Sequence, residues 1–121
     1  MAKKILIIEN DADIRDVITY VLEDEGFTVA GMSSPESLDT IVGHKPDLVL
    51  IDEWVAGHPG HRLCLRIKQF HYLVHVPVII LSTESDIQKI VAECKADGYV
   101  RKPFDIAALV EAVQEQLAKQ A

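Results

Sequence analysis

Leu48-Val49-Leu50-Ile51-Asp52-Glu53 runs through four branched apolar side chains and then stops on two acids. An unbroken apolar run of this kind suits a parallel strand buried on both faces, because neither face is left for water. Similar runs stand at Ile5-Leu6-Ile7-Ile8 and Val78-Ile79-Ile80-Leu81, with weaker ones at Phe27-Thr28-Val29-Ala30 and around Tyr99-Val100. Between them the apolar period changes to that of a helix. Ile14, Val17, Ile18, Val21 and Leu22 recur at i, i+3, i+4, i+7 and i+8, and Gly26 follows as a stop. Leu38, Ile41 and Val42 follow Ser34-Pro35, which reads as an N-cap and first turn. Leu63, Cys64, Ile67 and Phe70 make a third stripe; Ile87, Ile90, Val91 and Cys94 make a fourth, with Gly98 as its stop. Ile106, Leu109, Val110, Val113 and Leu117 make the last, with Asp105 as its cap.

Five βα units in succession, with no internal repeat, linker or low-complexity tract, predict one α/β domain over residues 1–121. The expected architecture is a doubly wound five-stranded parallel sheet with five helices on its two faces, joined by right-handed crossovers. In open sheets of this kind ligands sit beyond the carboxyl ends of the strands.

Composition narrows the partners. The 121 residues are 49% hydrophobic and 26% charged, the balance of an ordinary globular chain, with a formal net charge of −7. That charge opposes direct nucleic-acid binding and repels anionic membranes, so phosphate has to be met at a local cationic site. Met1-Ala2-Lys3-Lys4 is basic, but the apolar run after it ends at Glu9, too short for a signal-peptide core. Nothing in the chain approaches the ~20 apolar residues of a membrane span. Cys64 and Cys94 are distant in sequence and read as reduced, partly buried helix cysteines of a cytoplasmic protein. His58 and His61 lack a third ligand at motif spacing and read as exposed loop histidines. Neither a G-x-G-x-x-G nor a Walker A loop occurs.

The residues that follow the strands carry the chemistry. Glu9-Asn10-Asp11 follows the first strand, Asp52-Glu53 the third, Ser82-Thr83 the fourth and Arg101-Lys102-Pro103 the last. Asp11 or Asp13 is accounted for as a helix cap. Carboxylates, a hydroxyl and a lysine on one rim suit phosphoryl transfer to a carboxylate, which can act as nucleophile and form an aspartyl phosphate. The transferred group spreads charge over its oxygens and calls for a hard cation and a fixed positive side chain. Glu9 and Asp52 can supply carboxylates to Mg²⁺, Lys102 the positive charge, and Ser82 a hydroxyl donor.

The strings Ile5–Arg15 (ILIIENDADIR), Pro46–Gly60 (PDLVLIDEWVAGHPG), Pro77–Ser82 (PVIILS) and Ala96–Phe104 (ADGYVRKPF) resemble, in order, the four motif blocks of two-component response regulator receiver domains. The resemblance covers nearly the whole chain. It implies the flavodoxin-like strand order 2-1-3-4-5 and a signalling switch rather than a turnover enzyme. It implies Asp52 as phosphoacceptor, Glu9 and Asn10 at the place of the acidic pair, and a backbone carbonyl of Trp54 as a further metal ligand. It also implies that Lys102 contacts the phosphoryl group, that Ser82 and Tyr99 move together as a switch, and that the Lys102–Pro103 peptide is cis. The implied partners are a histidine kinase or phosphotransfer protein upstream, and downstream a protein target or second receiver docking on the fourth helix, last strand and last helix.

Two departures from the family pattern bear on this expectation. Asn10 stands where the family usually has Asp, so Mg²⁺ is expected to bind weakly. Val55-Ala56 replaces a hydrophobic-proline pair, and Trp54 is large for its place. The alternative reading is a degenerate receiver that works as a phosphorylation-independent interaction module; under either reading the chain is a stand-alone receiver or part of a longer protein.

Overall fold

The computed structural model describes residues 2–55 and 57–119. Strands β1 (Lys4–Ile8), β2 (Thr28–Met32), β3 (Leu48–Asp52), β6 (Val78–Ser82) and β7 (Gly98–Arg101) form a sheet, and β4 (Trp54–Val55) and β5 (His58–Pro59) a short antiparallel hairpin after β3. Helices α1 (Ala12–Asp24), α2 (Leu38–His44), α3 (Gly60–Gln69), α4 (Ile87–Cys94) and α5 (Ile106–Ala118) alternate with them. The sheet order is β2-β1-β3-β6-β7, every neighbouring pair parallel. With the hairpin set aside, this is the expected order 2-1-3-4-5.

Period-two alternation along the buried strands divides the core into two layers. Ile5, Ile7, Leu48, Leu50, Ile79 and Leu81 pack against Ile18 and Leu22 of α1 and Leu109 and Val113 of α5. Leu6, Ile8, Val49, Ile51, Val78 and Ile80 face Ile41 of α2, Ile67 of α3 and Ile87 of α4. Each fully buried Leu or Ile contributes roughly 1.5–3 kcal/mol relative to exposure, so these layers supply most of the drive that seats the sheet.

Carboxylates at the amino edge of the sheet hold it in register. Asp47 Oδ2 accepts the Lys4 amide at 2.7 Å, tying the start of β1 to the start of β3. Asp97 Oδ2 accepts both the Val78 amide at 2.8 Å and Lys68 Nζ at 2.9 Å, fixing the start of β6. Asp11 caps α1 through the amides of Asp13 and Ile14, and Asp105 caps α5 through Ala107. Gly26, with φ +95°, turns the chain out of α1 as its position implied.

Four local expectations are corrected. The cap of α2 is Ser37, whose Oγ accepts the Thr40 amide, and not Ser34; starting at Leu38 lets Leu38 and Ile41 both face the sheet. Helix α4 is closed by Lys95 in the left-handed region (φ 63°), because Gly98 is already paired with Ile79 in β7. His61 lies in the first turn of α3, half-buried, rather than in a loop. Cys64 and Cys94 are fully buried and adjacent, Cys64 Sγ donating to the Cys94 carbonyl at 3.5 Å where α3 packs on α4. Ala56 lies outside the described residues, so the structural consequence of the Val55-Ala56 departure is described only for Val55, which is buried.

Gly60 decides how closely α3 approaches β3. Its amide donates to the Glu53 carbonyl at 2.7 Å, and a methyl group there would overlap the Asp52 carbonyl oxygen. Gly60→Ala is therefore expected to cost about 1–3 kcal/mol through overpacking against backbone. Urea denaturation measures it: a lowered midpoint at unchanged m-value is the expected result, and an unchanged midpoint would show that α3 stands further from β3 than described.

Candidate functional site: a carboxylate–lysine rim at the carboxyl edge

Four side chains singled out from the sequence meet where the strands end. Glu9 follows β1 directly and is 2% exposed; Asp52 is the last residue of β3 and 7% exposed; Ser82, the last of β6, is 1% exposed. Lys102 follows β7, two strands away from Asp52, and its amide donates to the Ser82 carbonyl at 2.9 Å. Its long side chain crosses the end of β6. The ammonium then forms an ion pair with Asp52 Oδ1 and a second with Glu9 Oε2 at 3.4 Å. One cation thus joins the ends of β1, β3 and β7.

The other oxygen of each carboxylate accepts a backbone amide. Glu9 Oε1 accepts the Asp11 amide at 3.0 Å, and Asp52 Oδ2 accepts the Trp54 amide at 3.2 Å. Arg15 Nη1 donates to the Glu9 carbonyl at 2.7 Å, so the first turn of α1 holds the chain just beyond β1. Burial pushes the Glu9 carboxyl above its usual range; the Asp52 charge adds to this, against the opposing effects of the Asp11 amide and Lys102. Burial works against the Lys102 ammonium, but its pairing with Asp52 and Glu9 outweighs that and holds its pKa above the ordinary lysine value.

The other expected positions lie around this rim. Asn10 is exposed beside Glu9. Trp54, 54% exposed, opens the hairpin beside Asp52. Tyr99 is half-buried on β7; its hydroxyl accepts from Gln88 Nε2 of α4 at 3.0 Å, and the Arg101 guanidinium lies 5.6 Å from its ring centre. The Lys102–Pro103 peptide is cis. The Ser82 hydroxyl does not point to Asp52: it donates to Glu53 Oε2 at 2.9 Å and accepts the Glu84 amide at 3.0 Å.

Two contributors had not been picked out from the sequence. Glu53 was noted only as the acid after Asp52, yet its carboxylate takes Ser82 Oγ, the Thr83 amide and Thr83 Oγ1. The parallel register accounts for it: Asp52 pairs with Leu81, so the residue that follows β3 comes beside Ser82. Arg15 enters the sequence reading only as the end of the first motif block, and the return of α1 toward Glu9 gives it a partner.

No three His, Cys, Asp or Glu side chains among the described residues form a metal-holding group. The rim nonetheless presents two adjacent carboxylates, a donor set of hard oxygens that fits a divalent cation such as Mg²⁺, which commonly uses one or two carboxylates and keeps waters or phosphate oxygens.

Removing the cation from this rim tests its electrostatics. Lys102→Met leaves Glu9 and Asp52 facing each other without compensation and is expected to destabilise the fold by about 1–3 kcal/mol at neutral pH, less than for a fully enclosed pair because Lys102 keeps a solvent edge. Because the Glu9 pKa is already raised in the folded protein, protonation of Glu9 favours folding at low pH and that contribution is lost as pH rises through its folded value. The gap between wild type and variant is therefore expected to close as pH falls towards the ordinary carboxylate range. Urea midpoints at acidic and neutral pH check this; a gap independent of pH would contradict the assigned pairing.

Comparisons with known proteins agree with the geometry. The family described as the response regulator receiver domain matches residues 5–114. A solved structure from Chloroflexus aurantiacus, assigned as a response regulator, is similar with a TM-score of 0.91 at 27% identity, covering 98% of this chain and 99% of that one. A response regulator receiver domain protein of Methanospirillum hungatei is similar with a TM-score of 0.88 at 25% identity, covering 99% and 97%. The signal receiver domain of a signal transduction histidine kinase from Syntrophus aciditrophicus gives a TM-score of 0.87 at 27% identity, covering 98% and 92%. With its five parallel strands in the order β2-β1-β3-β6-β7 and the match across residues 5–114, this chain belongs to the response regulator receiver domain family.

Proposed function

We propose that residues 1–121 act as a receiver unit in which Asp52 accepts a phosphoryl group from a histidine kinase or a phosphotransfer protein. The observation that carries this reading is the Lys102 ammonium bridging Asp52 and Glu9 at the carboxyl edge. A carboxylate oxygen of Asp52 attacks phosphorus, the bond from phosphorus to the donor's imidazole nitrogen breaks, and the electron pair leaves on that nitrogen. Lys102 offsets charge on the transferred oxygens, and the Trp54 amide holds the other Asp52 oxygen in place. Glu9, Asp52, the Asn10 side-chain oxygen and the Trp54 carbonyl are the groups that would hold Mg²⁺, which when bound supplies charge neutralisation. The product is a switch state rather than a released product, and slow hydrolysis at Asp52 resets it.

The output surface in this proposal is the face of α4, β7 and α5. Tyr99 sits on it, tied to α4 through Gln88, while Arg101 binds the Glu84 carbonyl at 3.2 Å in the loop leading to α4. A rearrangement at Ser82 is thereby transmitted to a surface suited to a protein target or a second receiver, in the sense of a biased two-state equilibrium. No helix among the described residues is long and apolar enough to cross a membrane. The proposed setting is the cytoplasm, without direct contact to nucleic acid. Asn10 favours one other reading, a degenerate receiver that binds partners without phosphate.

Two measurements separate the readings. With beryllofluoride and Mg²⁺, amide spectra of the wild type are expected to shift around Ser82 and Tyr99, and those of Asp52→Asn to stay unchanged. A silent wild type, or shifts that persist in Asp52→Asn, would support the degenerate module. In a Mg²⁺ titration read through Trp54, the sole tryptophan, Asn10→Asp is expected to bind about tenfold more tightly, since it adds an anionic oxygen at short range. Equal affinities would place Asn10 outside the metal site.

A further inference from the structure

The Ser82 hydroxyl and both the amide and hydroxyl of Thr83, at the end of β6, are directed at one carboxylate, and that carboxylate is not Asp52. Glu53 Oε2 accepts the Ser82 hydroxyl at 2.9 Å, the Thr83 amide at 3.2 Å and the Thr83 hydroxyl at 3.3 Å; Oε1 accepts the Thr83 hydroxyl at 2.9 Å. Ser82 is buried and its oxygen also accepts the Glu84 amide, so its single proton is committed to Glu53. Asp52, one residue before, has its oxygens turned to Lys102 and to the Trp54 amide. Two hydroxyls and an amide converging on an anion make an anion-holding set. In this structure it is filled from within the chain.

We propose that Glu53 is a built-in competitor for the phosphoryl group: its carboxylate occupies the Ser82–Thr83 donors that a phosphoryl oxygen on Asp52 has to recruit, and phosphorylation must displace it. Glu53 is a positioning residue that acts through Ser82 and Thr83. The inference rests on Asp52 being the phosphoacceptor, and it adds a threshold to the switch. Charge-assisted hydrogen bonds from Ser82 and Thr83 hold the resting arrangement, and they are surrendered when a second, more highly charged anion arrives within the same few ångströms. Repulsion between the two anions assists the exchange once the phosphoryl group is in place. The released Glu53 side chain borders a cavity of about 260 Å³ that is also lined by Trp54, His61, Ile87 and Ile90, so displacement changes the wall shared by the hairpin and α4.

Beryllofluoride affinity in saturating Mg²⁺ tests this on wild type, Glu53→Gln, Glu53→Asp and Asp52→Asn. Glu53→Gln removes the charge at constant size and is expected to bind about tenfold more tightly, the scale of one charge-assisted hydrogen bond released from competition. Glu53→Asp keeps the charge but, one methylene shorter, cannot span to Thr83, and is expected to resemble Glu53→Gln. Wild-type-like affinity in Glu53→Asp alongside tight binding in Glu53→Gln would reduce the effect to bulk charge and overturn the latch. Equal or weaker binding in both variants would also overturn it. Binding in Glu53→Gln at beryllofluoride concentrations about tenfold below those the wild type needs supports the latch. Silence in all four proteins would overturn the phosphoacceptor reading and the latch together, whereas binding in the three proteins that keep Asp52, without gain in the variants, overturns the latch alone.

Discussion

Two carboxylates at the buried end of a parallel sheet repel each other, and Lys102 makes their proximity tolerable. Glu9 and Lys102 are 93 residues apart in the chain, and Lys102 and Asp52 are 50 apart. The pairing therefore depends on three strands ending at the same edge. The converse also holds: because Glu9 and Asp52 are almost fully buried, the rim depends on that one ammonium for compensation. A site with this balance is sensitive to any added charge, as the proposed phosphoryl acceptor has to be.

The two edges of the sheet use acids differently. At the amino edge Asp47 and Asp97 each accept a backbone amide of a neighbouring strand, Asp97 on the same oxygen that meets Lys68, so they act as structural clamps. At the carboxyl edge Glu9 and Asp52 each spend one oxygen on a backbone amide and turn the other to Lys102. A bond to an ammonium can be re-shared with an incoming anion, whereas a bond inside the strand register cannot be given up without loosening the sheet. In the proposed function the reactive edge is the one where two buried acids share a single ammonium.

Much of the fold was legible in the sequence because its signals are local. Unbroken apolar runs such as Leu48–Ile51 can be strands only if both faces are covered, and the stripe of Ile14, Ile18 and Leu22 can be only a helix on such a face, although Val17, counted in the same stripe, is 54% exposed. Asp52, Ser82, Glu9 and Lys102 were legible as a group because strand ends share an edge in a parallel sheet. What was not legible depends on choices between equivalent local partners. Ser34 and Ser37 can each cap a helix, and the packing of Ile41 selects Ser37. Cys64 and Cys94 come together only through the packing of α3 on α4. The proton of Ser82 could have served Asp52 or Glu53, and register settles it on Glu53, one residue beyond the Asp52–Leu81 pair.

The central claim is that Asp52, and no other acid of this rim, becomes an acyl phosphate. Incubation with a small-molecule phosphodonor and Mg²⁺, followed by borohydride reduction and peptide mapping, reads this directly, because reduction converts an aspartyl phosphate to homoserine. The account predicts homoserine at position 52 alone. Reduction at Glu9, Asp11 or Glu53 instead, or no reduction at all under conditions where a known receiver is labelled, would contradict it.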